Sequence, residues 1–127
     1  MGKVVADISI SLDGYLTAPG ADLVNGLGVD GEPVHAWVLE EPRSAVDEEV
    51  LASSFARTGA VVMGGANVID QGLTAGVVDE LRIHLSPVLF GGGTRLFDLT
   101  GRMTLVQREV TVSPKATHLT YDVVLAR

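Results

Sequence analysis

The chain has 127 residues, 46% of them hydrophobic and 20% charged, the balance of a single soluble domain large enough for one real core. Sixteen acidic against nine basic residues leave a net charge of -7, which disfavours nucleic acid and anionic membranes as partners because both would repel it. There is no cysteine, so disulfides, thiolate metal sites and a cysteine nucleophile are excluded.

In chain order, Lys3 to Ile10 alternates polar and apolar residues and predicts a strand. This N-terminus has neither the basic n-region nor the apolar h-region of a signal peptide, and no apolar run is long enough to span a bilayer, so a cytoplasmic protein is expected. Ser11 to Val34 is a long glycine-rich loop whose first turn is Leu12-Asp13-Gly14, and loops of this length in a small domain are usually functional or mobile. Apolar residues return around Trp37. Ser44 then reads as an N-cap, with Asp47, Glu48 and Glu49 in the first turn of a helix over 45–57. Val46, Val50, Leu51 and Phe55 supply that helix with an apolar stripe.

A short apolar strand, Ala60 to Met63, runs into Gly64 and Gly65, and a helix over 66–75 follows at once, ended by Gly76. Strand, glycine pair and helix form a backbone arrangement able to grip an anion, since the helix start offers free N–H groups and a partial positive charge. The same arrangement also serves as a plain tight turn. Glu80 to Leu89 predicts the next strand, Gly91-Gly92-Gly93-Thr94 a glycine-rich turn, and Met103 to Val112 with Thr117 to Leu125 an antiparallel pair.

This order predicts one α/β domain over 1–127, a three-layer sandwich around a central mixed sheet of about five strands. With strand 60–63 on one side of the first strand and strand 80–89 on the other, the first strand is central and the two helices cover opposite faces. Ligands in such sheets bind at the switch point, outside the carboxyl ends of the strands. That places a cleft among Leu12, Asp13 and Gly14, Gly64 to Asn67, and Gly91 to Gly93. Asp13 is its most plausible acid or base, although Asp before Gly is also ordinary turn chemistry. Trp37 reads either as a packed aromatic or as a pocket wall. Asp47 to Glu49 read as charges on a solvated face, and Asp79-Glu80 as a strand entrance. His35, His84 and His118 are spaced in a way that suggests no metal site, and His84 reads as structural.

The segments "ISISLDGYLTAPG", "FARTGAVVMG", "GGANVIDQGLTAGVVDELRIHLSPVLFGGGTRLFD" and "THLTYDVV" resemble the dihydrofolate reductase-like superfamily. Within it they are most similar to bacterial proteins related to the reductase domain of riboflavin biosynthesis. The resemblance covers nearly the whole chain and is most specific from Gly64 to Asp98. It implies a shortened dihydrofolate reductase-like fold and NADPH-dependent reduction of a small pterin- or pyrimidine-like heterocycle. It also implies cofactor contacts at Gly64, Gly65, Ala66, Asn67, Gly91, Gly92, Gly93 and Thr94, with Asp13 beside a substrate pocket of Leu12, Gly14 and Trp37.

The chain departs from the family in one respect. Family members are roughly 60 residues longer and carry three more strands in a domain of ordinary size. Here Val62-Met63-Gly64 runs directly into Gly65-Ala66-Asn67, so much of the family's NADPH site is absent, and Met63 stands where many riboflavin-pathway reductases have Glu. The alternatives to a reductase are a cofactor-independent enzyme or small-molecule binding protein, and a non-catalytic scaffold. The deletion would also leave Ala60 to Met63 as an unprotected apolar sheet edge, from which a homodimer or higher oligomer is expected.

Overall fold

Strict alternation of side chains along the strands divides the molecule into two unlike halves. The computed structural model describes residues 2–60, 65–98 and 100–124. Strand β1 (Val5–Ser11) leads into the long loop, which ends in a 3-10 turn (Glu32–His35) and a single helical turn, α1 (Ala36–Leu39). Helices α2 (Ala45–Ala56) and α3 (Ala66–Thr74) follow, then strands β2 (Glu80–Ser86), β3 (Leu105–Val112) and β4 (Thr117–Val123). The strand order is β1-β2-β4-β3, with β1 and β2 parallel and the remaining pairs antiparallel. The α/β class is as expected, but the described sheet has four strands, not about five. Of the expected strand Ala60 to Met63, all but Ala60 lies outside the described residues. The central place of β1 and the exposed edge argued for self-association therefore lie outside them too.

Register sorts the side chains by chemistry. Ala6, Ile8 and Ile10 of β1 stand beside Leu81, Ile83 and Leu85 of β2, and Leu81 and Ile83 stand beside Tyr121 and Leu119 of β4. This apolar face packs on Ala66 and Leu73 of α3 and on Leu16, Val78, Leu96 and Val123, forming the core of the domain. Leu81 is 1% exposed, and burying a side chain of that kind contributes about 1.5–3 kcal/mol. One residue out of phase, Asp7, Ser9 and Ser11 stand beside Arg82, His84 and Ser86, and Arg82 and His84 beside Thr120 and His118. This polar face lies under α2, joined to it by His118 and Asp47 and by the Arg82 guanidinium donating to the Ser54 hydroxyl at 3.5 Å. The two long helices thus cover opposite faces, as the crossover argument requires.

Helix α2 is the element that departs most from expectation. Ser44 does cap it, its hydroxyl accepting from the Asp47 N–H at 3.1 Å. The apolar stripe does not form. Phe55 is 68% exposed, Val46, Val50 and Leu51 are only half-buried, and the buried residue of the helix is Asp47. A helix over a polar sheet face is held by polar contacts, so hydrophobic periodicity was the wrong guide to its inner side. No helix among the described residues is long and apolar enough to cross a membrane.

Candidate functional site

On the polar face, two histidines from neighbouring strands are joined in one hydrogen-bonded chain. His84 on β2 and His118 on β4 are register partners, which sets their rings edge to face with Nδ1 atoms 2.7 Å apart. Each ring reaches a carboxylate with its other nitrogen: His84 Nε2 lies 2.5 Å from Asp7 Oδ1, and His118 Nε2 lies 2.7 Å from Asp47 Oδ1. Trp37 from α1 lies against both rings, at centroid distances of 4.4 and 4.8 Å, and its indole N–H donates to the Ser9 hydroxyl at 3.0 Å.

Burial alone would raise the Asp47 pKa. The hydrogen bond from His118, with nearby Ser113 and Ser44 hydroxyls, outweighs it and holds the carboxyl below the usual range. Its second oxygen, Oδ2, is buried, and no donor meets it in hydrogen-bonding geometry. Burial pushes His118 below the ordinary imidazole range, and the charge on His84 adds to that, while Asp47 opposes it.

Beside this chain lies a cavity of about 330 Å³ between α2 and the sheet. His84 and His118 line it, together with Arg57 just after α2, Arg82 on β2 and Arg108 on β3. Glu80, only 1% exposed, anchors this end. Its carboxylate accepts from Arg82 Nε at 2.7 Å and from Arg108 Nη2. Desolvation opposes its ionisation, but the two guanidiniums prevail and keep it below the usual carboxylate range. Ser54, Thr111 and Thr120 add hydroxyls to the wall. The volume and the few convergent polar groups match a site for a small molecule of heterocycle size. Among the described residues, no group of three or more His, Asp or Glu could hold a metal ion.

None of the site residues expected from the sequence lines this cavity among the described residues. The expected meeting of the first turn with the glycine-rich turn does occur. Asp13 makes it: its carboxylate accepts from the Phe90 and Gly91 N–H groups at 3.1 and 2.8 Å and from the Ser11 hydroxyl at 2.5 Å. These bonds, the Ser11 hydroxyl first, hold its pKa below the usual carboxylate value. Asp13 thus clamps the first turn to the glycine-rich turn. Leu12 is exposed, and Gly14, at φ 92°, takes the positive-φ place in the turn.

Gly93 also closes against a neighbouring loop. A Cβ there would stand 1.8 Å from the Thr17 carbonyl oxygen, so the close backbone approach it permits is to Thr17, not to a ligand. Thr94 donates its N–H to the Thr17 hydroxyl at 3.0 Å. A Cβ at Gly92 would meet the Pro19 side chain at 3.3 Å, whereas at Gly91 or Gly65 it would meet nothing within 4 Å among the described residues. Gly65 is the N-cap of α3; Ala66 is buried in the core, and Asn67 accepts a side-chain hydrogen bond from Gln71 at 2.9 Å. Gly64 lies outside the described residues. Trp37 is a buried partner of the histidines and not a cavity wall. The residues left to hold a cofactor are the backbone of Gly65 to Asn67, at a helix start, since the Gly91 N–H is taken by Asp13.

Sequence reasoning missed Asp47, Glu80 and the histidine pair. A signal was present: "DISIS", "LRIHLS" and "HLTYD" all place Asp, Ser, Thr, Arg or His at every second position. That pattern ordinarily marks a solvent face. Only the helix above it turns the same residues into a lined cavity.

The family profile described as RibD C-terminal domain matches residues 31–119. A crystal structure of a protein from Shewanella sp. PV-4 assigned to riboflavin biosynthesis superposes with TM-score 0.61 at 17% identity, covering 97% of this chain and 99% of that one. The riboflavin biosynthesis reductase of Saccharomyces cerevisiae superposes with TM-score 0.51 at 15% identity, covering 96% and 88%. At these identities the likeness is one of fold. No curated protein sequence matches the chain.

Proposed function

The chain belongs to the RibD C-terminal domain family, and on that premise we propose that it is a reductase acting with NADPH on a small pterin- or pyrimidine-like heterocycle. The observation that carries the reading is the cavity on the polar face. Three of the chain's seven arginines, Arg57, Arg82 and Arg108, gather there beside the histidine pair in a protein of net charge -7. Donors fixed around Glu80 and the hydroxyls of Ser54, Thr111 and Thr120 suit a ring with several hydrogen-bonding edges. Bound NADPH would supply a hydride to an electrophilic carbon of that ring. The backbone of Gly65 to Asn67 would hold its phosphates.

Two findings favour a second reading, in which the chain binds or transforms a small molecule without a nucleotide. Gly93 and Thr94 are occupied by Thr17, and the cavity lies over the sheet face rather than at the glycine turns. A thermal-shift titration with NADPH, NADH and FMN separates the two. The reductase reading expects a rise in Tm with NADPH, its loss in Gly65→Val, and loss of the reduced nicotinamide absorbance when a pterin or aminopyrimidine is added. A Cβ at Gly65 meets nothing within 4 Å among the described residues, so the fold should survive. Binding of the heterocycle with no response to any nucleotide would establish the second reading in its place.

A further inference from the structure

The long loop after β1 carries the most exposed large apolar side chains among the described residues. Leu23 is 106% exposed and Val24 90%. Their backbone is nevertheless fixed. The Asp22 carboxylate accepts from the Val24 and Asn25 N–H groups at 2.8 and 2.6 Å, and the Asp22 N–H donates to the Asn25 carbonyl at 3.0 Å. The Asn25 and Val24 N–H groups hold the Asp22 carboxyl below its usual pKa. At the base of the loop, the Ala18 N–H donates to the Leu27 carbonyl at 2.8 Å and the Val29 N–H to the Pro19 carbonyl at 3.0 Å. Gly28 stands at φ 82°, and a Cβ there would lie 2.2 Å from the Ala18 carbonyl oxygen. Two adjacent large apolar side chains are thus held in water on a closed turn that polar residues would serve as well.

The apolar side of the sheet holds a matching cavity. It measures about 180 Å³, and Leu73, Leu81, Phe97, Met103 and Leu105 are among its lining. An apolar cavity of about 150 Å³ takes up benzene, a group comparable to a leucine side chain. Its wall is held in place. Phe97 sits at φ 66°, in the left-handed region, and its N–H donates to the buried Asp70 carboxylate at 3.1 Å. The same oxygen accepts from the Thr100 hydroxyl at 2.8 Å. Tip and cavity spring from one junction. Pro19 and Ala18 lie against Gly92 and Gly93, and the cavity wall begins shortly after, at Phe97.

Their surroundings are opposite in charge. Residues 19–32 around the tip hold Asp22, Asp30 and Glu32 and no Lys or Arg. Arg102 stands between the lining residues Gly101 and Met103, exposed and without an ion pair among the described residues.

We propose that two copies of this chain associate about a two-fold axis, the Leu23–Val24 tip of each entering the apolar cavity of the other beside Arg102. A two-fold contact needs one patch that carries both complementary parts, and a single junction supplies them here. The acidic loop of each copy meets the basic rim of the other, which offsets repulsion between two chains of net charge -7. Leu23 is the anchor, and Val24 keeps water from it. This pairing goes beyond the reductase reading and does not depend on it.

Sedimentation velocity of the full chain tests the pairing without any ligand. The wild type should be a dimer at micromolar concentration. Leu23→Asp should weaken association about 100-fold and Arg102→Glu about 10-fold. Both positions are exposed, so circular dichroism should show a folded chain in each variant. A nitroxide at Asn25→Cys, the only thiol in a chain with no cysteine, then reads where the tip lies. Mixed with a copy carrying labelled methyl groups and no nitroxide, it should broaden the Met103 and Leu105 signals of that copy. A monomeric wild type, growth beyond two copies, or a dimer unmoved by Leu23→Asp overturns the pairing. So does a dimer in which the Met103 and Leu105 signals stay sharp, which would assign the tip to another surface.

Discussion

The two faces of the sheet are made by the same four strands and have opposite properties. On the α3 side, Leu81, Ile83, Ala6, Ile10 and Val123 close on each other, leaving a cavity of about 180 Å³ lined mainly by apolar residues such as Leu73, Leu81 and Leu105. On the α2 side, the next residues along each strand are Arg82, His84, Ser9, His118 and Thr120, and the cavity is larger, about 330 Å³. Apolar contacts are non-directional and add up over area, so the first face supplies most of the stability. Polar groups under a helix must find partners one by one, so the second face is more ordered in its hydrogen bonds and less complete in its packing. A chain of this size has one good core to spend, and the site sits where the core is not.

That division can be broken most strongly from the apolar side. Leu81→Ala should cost about 2–5 kcal/mol in urea unfolding, the usual range for deleting a buried leucine side chain. A loss below about 0.5 kcal/mol, the range of surface changes, would mean that the apolar face is not what holds the domain together.

Acid should weaken the polar face next. His118 is held below the ordinary imidazole value of 6.5, so as pH falls through 6.5 the unfolded chain takes up this proton before the folded one and stability drops. Asp47 is held below 3.8; stability present above that value is lost as pH falls through it towards the native pKa. Unfolding free energies should therefore decline on acidification from neutrality, with His118→Gln removing the first part of the decline. A wild-type profile flat from neutrality to about pH 5 would contradict the assigned directions.

The smallest effect is expected where the sequence suggested a large one. Phe55→Ser on α2 should change stability by no more than about 0.5 kcal/mol, because that ring is exposed and packs on no core. A cost of several kcal/mol would restore the apolar stripe and deny that α2 is held mainly by polar contacts.

Local signals were sufficient for the elements themselves. The Val- and Ile-rich alternation of β1, the Ser44 cap, the glycine stop after α3 and the turn between β3 and β4 each act within a few residues. The family, too, was legible, because the segment from Gly64 to Asp98 carries its pattern in consecutive residues. The meeting of the Asp13 turn with the glycine-rich turn was also legible, as a consequence of where parallel strands end.

What the turns do when they meet was not. Whether Gly93 opens toward a ligand or toward Thr17 depends on a backbone atom 76 positions away, and no local pattern encodes that distance. Asp47 and His118 are 71 residues apart and His84 and Asp7 are 77 apart. Read singly, each is an ordinary polar residue at a helix start or on a strand. Alternation along a strand determines which residues share a face, but not whether water or a helix covers it. Tertiary packing decided that: α2 lies over the charged row, buries Asp47 against His118, and turns a surface pattern into a cavity.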